Sequence, residues 1–176
     1  VPVLTTEYLS YAELDKRAQA YAEAVEAEAS TIRNFLIFHA GTNRFAIPMQ
    51  ALDEISEMSH GVGLETASSN IMGLTSIRSD MVLLLDLRAL LGLGSTSQNA
   101  ISQRILVLTD NNSHKWAFLV ERLEGVFALD TSQFQSDDDT SQATFGSMVK
   151  AVGEHDDKAV GVLEVGELLD VAKRCV

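Results

Sequence analysis

The residues able to do chemistry are scattered along this chain, and their spacing decides what they can do. His39, His60, His114 and His155 fall in separate turns and strands, and none has a second His or a Cys at metal-ligand spacing. Each is expected at a strand end or on the surface. Asp137-Asp138-Asp139 lacks the spaced oxygens and turn glycine of a calcium loop, so it reads as a solvated acidic loop. Gly92-Leu93-Gly94 has neither the third Gly nor the Lys of a phosphate cradle and reads as a helix stop. Cys175 is the single cysteine, so no internal disulfide is available and a reducing cytoplasm suits the chain. No catalytic residue, metal site or cofactor is expected.

Two charged positions are better placed. Asp86 and Arg88 follow the almost wholly apolar 81–85, which puts Asp86 where it can cap a short helix. Arg78 ends a strand beside the Ser79-Asp80 turn, where its guanidinium can present donors to a partner or pair with a nearby acid such as Asp80.

The elements that hold these residues change period near Asn34. Residues 7–33 read as a helix, with Tyr11, Leu14, Ala18, Tyr21, Val25 and Ile32 on one apolar side. Ser10 and Glu13 have capping-box spacing, with Leu9 and Leu14 at the staple positions. That side is expected to dock on the body of the protein or to pair with a partner or a second copy. From Phe35 on, strand patterns recur with a turn signal every eight to twelve residues or so. Ten strands are expected, at 35–40, 43–48, 54–58, 72–78, 81–85, 103–110, 115–121, 125–129, 148–153 and 159–164. Short helices should follow Asp86 and Val165, and 59–70, 95–102 and 131–142 read as loops. Residues 1–34 therefore form a helical extension, and residues 35–176 one all-β domain.

With 46% hydrophobic residues the chain can bury a sizeable core, while its net charge of −12 opposes binding to nucleic acid or to anionic membranes. No apolar run approaches the roughly 18 to 20 residues of a membrane-spanning helix, and 1–6 show no export signal.

The stretch Gly73-Leu74-Thr75-Ser76-Ile77-Arg78-Ser79-Asp80, continuing through Met81 to Asp86-Leu87-Arg88, resembles the central hairpin of the CheW-like domain. Gly73, Arg78 and Asp86-Leu87-Arg88 match that pattern, whereas Ser76, Ser79 and Leu83 stand where Asn, Gly and Pro are usual. Phe35 to Phe38, Phe45 to Pro48 and Leu52 to Ile55 are similar to the family's opening. Phe118 to Val126 is similar to its later strand pair, with Glu121 in place of Asp, and Val160 to Leu163 with Leu168-Leu169 to its close.

The resemblance implies two intertwined five-stranded SH3-like barrels and a non-enzymatic adaptor in the cytoplasm. Such an adaptor couples the tips of methyl-accepting chemoreceptors to a CheA-type histidine kinase in membrane-associated arrays. It also implies that Leu52, Glu54, Ile55, Gly73, Arg78 and Val126 line or support the receptor-binding groove, with Ile55 and Val126 supplying apolar area. The helix before the barrels and the departures at Ser79, Leu83 and Ala151, the last standing where a Gly is common, point to a divergent member of a type IV pilus or other non-flagellar system. A small-ligand-binding β-barrel module is the rival reading.

Overall fold

A computed structural model of the chain describes residues 11–58, 62–63, 68–96, 102–136 and 145–176, with backbone alone at 11, 12, 14, 24–30, 62 and 63. The chain divides into two compact units, with the boundary between Ile32 and Arg33. The first contains α1, Tyr11–Thr31, on which Tyr21 is 75% exposed. Ser10 and Leu9 of the expected cap lie outside the described residues, as do His60 and Asp137-Asp138-Asp139.

The second unit is two six-stranded sheets. The first sheet runs β10-β11-β12-β2-β1-β9 and the second β3-β7-β8-β6-β5-β4. Its strands are β1 Ile32–Ala40, β2 Asn43–Pro48, β3 Glu54–Glu57, β4 Val62–Gly63, β5 Ile71–Ile77, β6 Asp80–Asp86, β7 Arg104–Thr109, β8 Lys115–Val120, β9 Arg122–Asp130, β10 Gln135–Ser136, β11 Val149–His155 and β12 Lys158–Leu163. Two helices, α2 Leu87–Leu90 and α3 Val165–Arg174, follow β6 and β12. The ten expected strands are all present. Two more, β4 and β10, are two-residue pairings inside stretches read as loops. The chain forms β1 and β2, builds the whole second sheet, and then returns to the first, which is how the two barrels come to be intertwined.

Three cores explain why so many strands read as continuous apolar runs. Along β1, Phe35 and Ile37 point into the first barrel, while Leu36, Phe38 and Ala40 point into a core shared by both sheets. Along β7 and β8, Ile105, Val107, Ala117 and Leu119 fill the second barrel, and Leu106, Leu108, Phe118 and Val120 face the shared core. A strand buried on both faces loses its polar alternation. Helix α2 contributes Leu87 and Leu90 to the shared core, and α3 contributes Leu168, Leu169 and Ala172. At roughly 1.5–3 kcal/mol per buried large apolar side chain, this shared layer makes the two barrels one cooperative body.

Strands β3 and β9 behave differently. Each ends the strand order of its sheet, and each alternates between exposed and half-buried positions over most of its length. Their outward faces carry Ile55 and Val126, which are 37% and 49% exposed.

Candidate functional site

The β5–β6 hairpin pairs Ile77 with Asp80, which leaves Arg78 and Ser79 as a two-residue turn. Both have positive φ, at 48° and 81°, as a type I′ turn requires. This geometry holds the Arg78 side chain 75% exposed, and its Nε lies 2.8 Å from Oε2 of Glu54, the first residue of β3. The acid expected beside Arg78, Asp80, pairs instead with Lys115 Nζ at 2.6 Å. Arg78 and Glu54, named separately in the sequence, therefore form one ion pair on the surface of the second sheet.

The other expected residues take distinct places around it. Ile55 follows Glu54 and faces outward. Leu52 is half-buried against the shared core, and its N–H donates to Met49 O at 3.2 Å, which fixes the chain entering β3. Gly73 is buried at a register shift, where Ile71 pairs with Leu85 but Gly73 with Leu84. Its φ of 149° is one that a side chain would strain. Val126 lies on β9, in the other sheet.

The step after β6 joins the two sheets. Asp86, 2% exposed, accepts from the N–H groups of Arg88 and Ala89 at 3.0 and 3.3 Å and so caps α2 as expected. It also accepts from the N–H and hydroxyl of Thr96, at 2.6 and 2.7 Å. Arg88 Nη1 donates to Glu121 Oε1 at 2.6 Å, and the other Glu121 oxygen accepts the Gly41 N–H at 2.7 Å. Arg88 thus ties the end of β6 to the β1–β2 turn through Glu121. The glycine stop is present, with φ of 74° at Gly92 just past α2.

One polar cluster escaped the sequence reading, which kept the histidines apart. His39 of β1 and His155 of β11 meet around Glu124 of β9. His39 Nε2 lies 2.9 Å from Glu124 Oε2, and Arg44 of β2 donates through Nε to the same oxygen at 2.9 Å and through Nη2 to the other. Arg44 Nη1 also donates to the His155 carbonyl at 2.9 Å. Paired mainly with Arg44, Glu124 has its pKa held down at about 2. Glu124, His155 and Asp156 place ligand-type atoms within 4.8 Å of one another, but both Glu124 oxygens are already held by the Arg44 guanidinium. That arrangement is an internal ion pair and gives no support to a metal centre. No signal short of knowing the strand order could have joined residues about eighty positions apart.

Among the described residues the expected site holds one surface ion pair, Arg78 with Glu54, and the exposed Ile55 that follows Glu54 on β3. Residues 34–173 match the CheW-like domain. The chain belongs to the CheW-like domain family. It is 21% identical over 159 residues to the chemotaxis protein CheW of Helicobacter pylori, covering 88% of this chain and 92% of that protein. Its fold is similar to the crystal structure of the scaffolding protein TtCheW from Thermoanaerobacter tengcongensis, with a TM-score of 0.68 and 14% identity over 76% of this chain and 90% of that one. The family expected from the hairpin and the all-β double-barrel fold are both borne out.

Proposed function

We propose that this CheW-like chain is a non-catalytic adaptor that couples chemoreceptor tips to a CheA-type histidine kinase in membrane-associated arrays on the cytoplasmic side. A chemotaxis adaptor role follows from the family and from its CheW relatives. The observation that carries the finer reading is the exposed Arg78 guanidinium, set on a left-handed turn, anchored by Glu54 and followed across β3 by exposed Ile55. An anchored guanidinium loses little further freedom when a partner carboxylate or carbonyl arrives, and Ile55 offers apolar area beside it. Leu52 and Gly73 are assigned to support this surface, and Val126 to the same groove. No helix among the described residues is long and apolar enough to cross a membrane, so array association would run through partners.

Helix α1, Tyr11–Thr31, is assigned to a separate element that can pair with a partner or with a second copy. Both barrel interiors are packed with side chains such as Ile37, Val160 and Val162 in one and Ile105, Val107 and Leu119 in the other. That packing favours the adaptor over a module that holds a small ligand inside a barrel. Co-sedimentation of the chain with receptor-bearing membranes and kinase tests the proposal: the intact chain should bring kinase down with receptor, and failure to bind either partner would overturn it.

A further inference from the structure

The polar cluster on the first sheet sets one ring nitrogen between an acceptor and a donor, which it cannot serve together. His39 Nε2 lies 2.9 Å from the Glu124 carboxylate and 3.1 Å from Arg122 Nη2. A neutral nitrogen with its lone pair free accepts from the guanidinium but repels the carboxylate. A protonated one, in the cationic ring or in the neutral Nε2–H tautomer, donates to the carboxylate and has nothing to offer the guanidinium. Both partners belong to β9, on either side of Leu123.

Charges of both signs surround this nitrogen. From β9 it meets Arg122 and Glu124, and from β2 its cross-strand partner Arg44, which is committed to Glu124. Beyond Arg44, the β11–β12 end brings His155, Asp156 and Lys158, whose carbonyl accepts from Arg44. His155 Nε2 is buried without a hydrogen bond, 3.5 Å from Asp156 Oδ2, so it adds no fixed donor to the junction. Two residues past Glu124, β9 carries exposed Val126, with the backbone turned at Gly125, whose φ is 154°.

We propose that His39 is a proton-operated latch on β9: when neutral with its proton on Nδ1 it holds Arg122 through Nε2, and when it gains a second proton it releases Arg122 and holds Glu124. The latch adjusts the start of β9 and, through Gly125, the setting of Val126. Its link to receptor docking rests on the function proposed above, but the latch itself is a property of the isolated chain and is tested there.

The test is an NMR titration of the whole chain from about pH 8 to pH 5, the range in which histidine is the side chain that changes charge. It follows the His39 imidazole, the Arg122 side-chain N–H groups and the backbone amides of Glu124 and Val126. The expected result is a shared midpoint for all of them, with the Arg122 N–H signals losing protection from exchange as His39 gains its proton. His39→Gln should abolish the pH-dependent movement at Arg122 and Val126. Arg122→Gln, on an exposed position, removes the partner that the neutral ring holds, so Val126 should no longer move with pH. Movement that persists in His39→Gln would assign the transition to His155 and overturn the latch, as would pH-dependent movement of Val126 unchanged in Arg122→Gln. Loss of receptor co-sedimentation at every pH would count against the adaptor reading and leave the NMR result standing.

Discussion

Arg78 and Glu54 meet at 2.8 Å although they lie on β-elements that are not neighbours in the second sheet, one on the β5–β6 turn and the other at the start of edge strand β3. The pair has a three-quarters exposed cation and a mostly covered anion. Such pairs contribute about 0–1 kcal/mol to stability, so the contact serves orientation more than folding.

Arg78→Ala should accordingly leave the melting temperature nearly unchanged while weakening co-sedimentation with receptor. Arg78→Glu should weaken it more, because it adds repulsion toward an acidic partner group and toward Glu54 itself. The exchange variant, Arg78→Glu with Glu54→Arg, separates the roles. If it restores binding, the pair acts only as a strut; sustained loss of binding is the expected outcome.

Ser79 stands at φ 81°, where the family pattern has Gly. A left-handed residue with a Cβ costs roughly 1–2 kcal/mol, and the freedom glycine adds to the unfolded chain returns about 0.4–1 kcal/mol of that. Ser79→Gly should therefore stabilise the chain by about 0.5 kcal/mol, or roughly 1–2 °C in Tm for a domain of this size. A lower Tm would show that the Ser79 side chain makes a compensating contact.

Much of the fold was legible because burial leaves a mark on sequence. The runs Phe35 to Phe38 and Ile105 to Leu108 are continuous apolar stretches since each strand separates two cores. The short strands Val62–Gly63 and Gln135–Ser136 carry no such mark, because two residues cannot show a period. Ile32 fits both the helical spacing and a β-branched strand start, and the structure gives it to β1. Strand β9 starts at Arg122, three residues ahead of the expected 125, because its half-exposed beginning looks like a turn. The candidate residues could be named singly, yet their partners could not. Glu54 with Arg78, and His39 with Arg122 and Glu124, are matched by tertiary closure and not by local spacing.

Thr75, fully buried on β5 among the side chains of the second barrel, has a hydroxyl with no hydrogen-bond partner among the described residues. A buried polar group without a partner costs about 1–3 kcal/mol by mutational measures. Thr75→Val keeps the shape and the branching at Cβ and removes that cost, so denaturant unfolding should report a gain of about 1 kcal/mol at unchanged m-value. A loss of stability would mean that the hydroxyl is hydrogen-bonded in solution.

Asp110, whose side chain is 2% exposed, accepts from the N–H groups of His114 and Asn112, both at 2.9 Å, and from Trp116 Nε1 at 3.4 Å, with Lys173 Nζ 3.6 Å away. The His114 N–H leads the interactions that lower its pKa from 3.8 to about 2. A carboxylate depressed in the folded state binds its proton more readily when the chain unfolds. Its stabilising effect is therefore complete above pH 3.8 and is lost as the pH falls toward 2. Glu124, lowered from 4.5 to about 2 mainly by Arg44, acts with the same sign over a similar window. Trp116 is the chain's single tryptophan, so its fluorescence reads the Asp110 turn directly. Acid titration should show an unfolding transition that steepens below pH 4.5, and Asp110→Asn should start from lower stability at neutral pH and lose less on acidification. An Asp110→Asn variant with the parent's full acid dependence would assign the effect to Glu124 alone, a result that Glu124→Gln would then have to reproduce.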